Sequence, residues 1–135
     1  MKKVLLFALL FVLVVSCNVL PSGSKVGSKQ VAISSTQWQL ADQVKGKTPT
    51  LILEQDRISG NAGCNNYFGT LSLNASNGGF SVTRIGSTKM ACEDMMTETN
   101  FLQALSQVDT YVVNQGVLEL YKGNLLLMKF NRFTP

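Results

Sequence analysis

The residues able to do chemistry in this chain are few. They are three cysteines (Cys17, Cys64 and Cys92), three acids near one another (Glu93, Asp94 and Glu98), a basic run Lys45-Gly46-Lys47-Thr48, the pair Ser87 and Lys89, and a cluster of amides, Asn61, Asn65 and Asn66, followed by Tyr67. A thiolate can attack, ligate or oxidise to a disulfide, carboxylates can hold a hard cation or move a proton, and amides offer both donors and acceptors to a polar ligand. Histidine is absent from all 135 residues. That removes Ser-His-Asp and Cys-His nucleophilic catalysis and the commonest zinc ligand. The basic run imitates the end of a phosphate-binding loop. The glycine needed five positions before Gly46 is instead Ala41, however, and no apolar strand feeds the turn, so it reads as a solvated loop. Ser87 and Lys89 would share a strand face but lack the Ser-x-x-Lys spacing at a helix start. Two cysteines without clustered partners cannot build a structural zinc site. No catalytic, cofactor-binding or metal-ligating residue is expected, and the chain reads as a non-enzyme.

The start of the chain says where such a protein would work. Lys2 and Lys3 precede an unbroken apolar run over residues 4–15, then the small residue Ser16 and Cys17, which is the anatomy of an export signal. Twelve apolar residues rise only about 18 Å as a helix, against a hydrocarbon core of about 30 Å, so a spanning anchor is not expected. Val14-Val15-Ser16-Cys17 resembles the bacterial lipobox, in which the cysteine is acylated and becomes the first mature residue. Residues 1–16 are therefore expected to be a lipoprotein signal peptide, and Cys17 the lipid-bearing residue. More than one acyl chain makes such attachment stable, since each buried methylene contributes about 0.8 kcal/mol. The membrane is thus an expected partner through Cys17. In Gram-negative relatives the residue after the cysteine influences sorting; Asn18 is not the aspartate of inner-membrane retention, so the periplasmic side of the outer membrane is favoured.

Residues 17–34 are rich in Ser and Gly, carry Lys25 and Lys29 and have no aromatic residue, so they read as a flexible tether. Such a segment has a root-mean-square reach of roughly 20 to 25 Å. The remainder, residues 35–135, is enough for one small domain with one core. The formal charge of +4 includes Lys2 and Lys3; without them 10 basic residues face 8 acidic ones. That balance is too mild to point to nucleic acid.

The elements that must position these residues follow from periodicity. Short alternating or apolar runs suggest strands near 37–40, 50–54, 57–60, 67–73, 80–85, 110–114, 117–121 and 125–133. Gln55-Asp56, Asn77-Gly78-Gly79 and Lys122-Gly123-Asn124 supply tight connectors, which force antiparallel pairing. Between the fifth and sixth runs the period changes: Phe101, Leu102, Ala104, Leu105 and Val108 recur at helical spacing behind Glu93, Asp94 and Glu98, which read as solvated acids at the positive end of the helix dipole. The expected fold is α+β: a curled antiparallel β-sheet of about seven to eight strands, with one helix at about residues 94–108 over its open face or end. Trp38 reads as a core anchor.

Two blocks stand apart from ordinary strand or loop sequence. Residues 59–70, Ser-Gly-Asn-Ala-Gly-Cys-Asn-Asn-Tyr-Phe-Gly-Thr, crowd three glycines, three asparagines and a cysteine into twelve positions, which calls for unusual backbone angles. Residues 87–92, Ser-Thr-Lys-Met-Ala-Cys, precede the acidic start of the helix. With Trp38 at the domain start and Leu118-Glu119-Leu120 near its end, these blocks resemble the META-domain family, whose bacterial members include HslJ-like lipoproteins. The resemblance spans roughly residues 35–133 and implies a small α+β domain, association with the cell envelope and its stress responses, and no established reaction. Asn66 and Lys89 stand where many relatives carry arginine, so a role needing a guanidinium fork at those positions is not carried over.

Once lipid claims Cys17, Cys64 and Cys92 remain as an even pair in an oxidising compartment, and a disulfide between them is expected. Two buried thiols packed as small hydrophobes are the alternative. The disulfide would close a loop of about 29 residues and contribute roughly 3 to 4 kcal/mol. Asn61, Asn65, Asn66 and Tyr67 form a candidate ligand loop; the competing reading is that these asparagines hydrogen-bond their own loop. The functional expectation is a non-enzymatic envelope lipoprotein that supports envelope integrity or the stress response by binding an envelope protein, with a small-ligand or inhibitor module built on residues 61–67 as the alternative.

Overall fold

The computed structural model describes residues 25–134. Residues 1–16, Cys17 and the first part of the tether lie outside the described residues. Eight strands follow one another: β1 (Thr36–Leu40), β2 (Thr50–Leu53), β3 (Arg57–Asn61), β4 (Asn66–Asn74), β5 (Gly79–Ser87), β6 (Thr110–Asn114), β7 (Val117–Lys122) and β8 (Leu125–Arg132), with helix α1 (Met96–Leu105) between β5 and β6. Each strand pairs antiparallel with its neighbour in sequence, and β8 returns to β1 through Trp38 opposite Arg132 and Leu40 opposite Phe130. The expected curled sheet therefore closes into a barrel, which leaves it no free edge.

Alternation decides which side chains enter. On β4, Tyr67 and Leu71 point inward while Asn66, Phe68, Thr70 and Ser72 face out. Trp38, Leu51, Leu53, Ile58, Leu118 and Phe130 fill the interior from the other strands. The barrel wall is thinnest between β5 and β6, which meet only at Gly79 opposite Thr110. Helix α1 packs into the core through Phe101 and Leu105. Its Phe101 ring enters the core edge-on between Tyr67 of β4, 5.5 Å away, and Phe130 of β8, 6.4 Å away. Burial of an aromatic side chain this size contributes on the order of 2 kcal/mol or more, so the helix is held by packing.

The helix is shorter than the 94–108 expected from its period. Asp94 lies outside it and accepts the Met96 N–H at 2.8 Å, an Asx turn just ahead of the helix. At the far end, Asp109 donates its backbone N–H to Tyr121 and the chain joins the sheet ladder, so the spacing at Val108 continues a pattern that is no longer helical.

The folded domain also begins earlier than residue 35. Gln30 and Ile33, placed in the tether by composition, are buried. Gln30 donates its backbone N–H to Ala75 at 2.7 Å, and its side-chain oxygen accepts the Val113 N–H at 3.1 Å. Tyr111 donates its hydroxyl to the Val31 carbonyl at 2.9 Å. Residues 30–33 thus form a strap across the end of the barrel where β4 turns into β5. Ser and Gly around these residues masked two anchoring side chains.

Candidate functional site

The two unusual sequence blocks meet at the other end of the barrel. Block 59–70 makes the end of β3, a tight turn and the start of β4, while residues 88–95 run as an irregular segment from β5 to α1. Cys64 and Cys92 are joined by a disulfide, their Cα atoms 6.3 Å apart. The sulfurs thus fasten the turn to the segment leading into the helix.

Asn65 sits at the centre, 1 % exposed. Its backbone N–H donates to one carboxyl oxygen of Glu98 at 2.7 Å, and its side-chain Nδ2 donates to the other at 3.2 Å and to the Met90 carbonyl at 3.2 Å. Its Oδ1 accepts from the Thr88 hydroxyl at 2.8 Å and from the Met90 N–H at 2.7 Å. One amide therefore joins β4, the 88–90 segment and the first turn of α1. A buried polar group is tolerated when its hydrogen-bonding capacity is used, as it is here. Glu98 is buried, not solvated as its place among Glu93 and Asp94 suggested, because it lies three and seven residues before Phe101 and Leu105 on the inward stripe of the helix.

Asn61 is similarly committed. Its Oδ1 accepts the Gly63 N–H at 2.9 Å, and its Nδ2 donates to the Cys64 carbonyl at 3.2 Å and to Asn66 Oδ1 at 3.1 Å. Gly63 adopts φ +117°, and a Cβ there would lie 2.7 Å from Thr97 Cγ2, so only glycine lets the turn approach the helix this closely. Tyr67 is buried and donates its hydroxyl to the Thr50 carbonyl at 2.8 Å; burial raises its pKa well above the usual tyrosine value. Of the four residues in the candidate ligand loop, only Asn66 is exposed. The asparagines hydrogen-bond within the protein, and the blocks form a clasp.

Three comparisons bear on this arrangement. The family model described as META domain matches residues 16–132. The chain belongs to the META-domain family. An NMR structure of a protein from Burkholderia xenovorans is similar at 25% identity and a TM-score of 0.62, covering 86% of this chain and 98% of that one. A second NMR structure, at 16% identity and a TM-score of 0.56, covers 73% of this chain and 89% of that one and shows likeness of fold. Among curated proteins none matches. The META blocks are thus the parts that close the barrel end and seat its helix.

The lysines among the other sequence candidates are exposed. Lys45 and Lys47 are exposed in the β1–β2 loop, where the Lys45 carbonyl accepts a hydrogen bond from the Thr97 hydroxyl at 3.2 Å. Lys89 is exposed beyond the end of β5. Among the described residues no group of three or more His, Cys, Asp or Glu side chains is placed to hold a metal ion, and no helix is long and apolar enough to cross a membrane. On the outer face of β7 and β8, Glu119 accepts from Tyr121 at 2.7 Å and pairs with Lys129 at 3.1 Å. Burial raises the Glu119 carboxyl, but these hydrogen bonds and the lysine charge outweigh it, leaving the pKa lowered. Burial and the Glu119 partner push Tyr121 up to about 12.

Two depressions among the described residues bear on binding. A cleft of about 540 Å³ lies between α1 and the β1–β2 loop, with Leu40, Val44, Met96, Phe101 and Leu127 among its lining and Asp42 and Asp94 beside them. Met96 is 66 % exposed at its edge. Sequence reading missed this cleft, since its walls come from three distant segments. The second depression is on the outer wall of β2, β3 and β4.

Proposed function

We propose that this META-domain chain is a non-enzymatic, HslJ-like lipoprotein of the bacterial envelope, anchored through Cys17, that supports envelope integrity under stress by binding a protein partner in the cleft beside α1. The observation that carries the binding assignment is the cleft itself: a mainly apolar recess of about 540 Å³, with an exposed methionine at its mouth. Exposed apolar concavities of this kind suit partner or ligand recognition, and flexible methionines adapt to what enters.

Its position suits an anchored protein. The strap, through which the chain enters the domain, contacts Ala75 just beyond the end of β4, whereas the clasp holds Asn65 just before its start. A nine-residue strand spans about 27 Å, so the clasp and the helix start beside it stand off from the point of entry. With Cys17 carrying lipid, the cleft would then face away from the membrane.

Anchoring and binding are tested together. A photo-crosslinking side chain placed at Val44 in the full chain, in cells, should capture one dominant envelope protein. That capture should fall when Met96→Lys puts a charge in the mouth, and when Cys17→Ser frees the chain from its membrane. Metabolic labelling with palmitate should mark the parent and not Cys17→Ser. Unchanged capture from Met96→Lys would remove the cleft from the account, and absence of lipid label on the parent would remove the anchor.

A further inference from the structure

The second depression, about 530 Å³, shares no lining residue with the cleft and has a different chemistry. Its floor is the outer face of the wall where Ser59 on β3 lies opposite both Ile52 on β2 and Phe68 on β4. Phe68 is 52 % exposed although its neighbours in sequence alternate with core residues, so an apolar ring stands on the solvent side of the sheet. The ring is not free to swing inward. It lies across Gly86 of β5, where a Cβ would come within 2.8 Å of Phe68 Cζ. Glycine at that position lets the ring lie low against the sheet and leaves its other side to solvent.

The charged groups that line the depression are both cations. Arg57 occupies the outer face of β3 diagonal to Phe68, a spacing that long side chains bridge, and Lys47 reaches the same depression from the β1–β2 loop. No carboxyl group lines it, and among the described residues the ion pair is Lys129 with Glu119, so neither cation is neutralised by a neighbour. Asn66, exposed at the rim, accepts from Asn61 through its side-chain oxygen, which leaves its Nδ2 as a donor.

We infer that this face is a binding site for an acidic saccharide chain, with one sugar ring stacked on Phe68 and its anionic group held by Lys47 and Arg57. The apolar C–H face of a sugar suits a pinned aromatic ring, its acid suits two unpaired cations, and its oxygens suit the donors of Asn66 and Ser59. A single-stranded nucleic acid fits less well, because successive bases need successive aromatic platforms and a basic track, and this wall offers one ring and two cations. The depression is open along the sheet, so a chain can continue past the one residue it grips.

The test is fluorescence anisotropy of a labelled galacturonic acid tetramer with the full chain in detergent. The expected result is saturable binding that weakens with salt and falls about tenfold or more in Phe68→Ala and in the Lys47→Gln, Arg57→Gln double variant. The distant Lys122→Gln should bind as the parent does, and a neutral galactose tetramer should bind about tenfold more weakly or worse. Should Phe68→Ala lose its cooperative unfolding transition, the two surface glutamines carry the test alone. The site is overturned by absence of saturable binding, by equal affinity for the neutral tetramer, by unchanged affinity in the double variant or in a folded Phe68→Ala, or by a single-stranded oligonucleotide displacing the tetramer at lower concentration than the unlabelled tetramer does.

Discussion

Asn65 and Asn66 are adjacent and chemically identical, yet the barrel gives them opposite fates. The first is buried with five hydrogen bonds through its side chain and backbone N–H, and the second is exposed on the outer wall. Strand alternation turns Asn66 outward, since Tyr67 points inward, whereas Asn65 lies in the turn just before the strand and is held inside by its bonds to Glu98, Thr88 and Met90. Tyr67 carries a second residue-scale consequence. Its native pKa is raised by burial, while an unfolded tyrosine titrates at the ordinary value of 10.0. The native state therefore holds that proton more tightly, and stability is complete below about pH 10 and declines as pH rises beyond it. Burial of Tyr111 adds in the same direction. Urea midpoints should drop between about pH 9 and about pH 11 in the parent. Tyr67→Phe should start about 1 kcal/mol lower, having lost its bond to Thr50, and drop less steeply over that interval. Parallel pH profiles for the two proteins would contradict the assignment.

At the scale of elements, eight strands and one helix were legible because each carries its own local signal. The 110–114 strand agrees to the residue, and β4 and β5 extend past their expected ends where Asn66, Asn74, Gly79 and Ser87 still pair although their types disfavour strands. The helix is where local reading overshot, because Asp94 in an Asx turn and Val108 as the lead into β6 both fit a helical period without being helical. Glu98 was misread for a related reason: its charge outweighed its place on the inward stripe. The segment before the helix has no regular structure of its own and depends on Cys92 and on Asn65 to hold it. Replacing both Cys64 and Cys92 with alanine should therefore lower the free energy of unfolding by about 3 kcal/mol, with a reducing agent doing the same to the parent and nothing to the variant. Equal stability of variant and parent under oxidising conditions would show that the segment is held without the sulfurs.

For the whole molecule, closure of the barrel could not be read in advance. It depends on Trp38 meeting Arg132 across nearly the full length of the domain, and no local pattern encodes a pairing that distant. The strap was hidden likewise: Gln30 and Ile33 sit in a stretch whose composition is that of a tether, and only their fit against Ala75 and Val113 distinguishes them. The META blocks, in contrast, were legible as special but not as to purpose. Asparagine and glycine density signals unusual backbone whether that backbone serves a ligand or the fold, and here Asn61, Asn65 and Gly63 are turned to the fold. The binding proposed for this chain is thereby assigned to the cleft beside α1 and to the wall around Phe68. The most direct measurement compares the global unfolding of Asn65→Ala and Asn66→Ala in urea. A structural clasp predicts that Asn65→Ala loses about 3 kcal/mol, since it strips partners from Glu98, Thr88 and Met90 at once, while Asn66→Ala stays within about 1 kcal/mol of the parent. Asn65→Ala unfolding at the parent's midpoint would contradict the clasp and return the loop to the role of a ligand site.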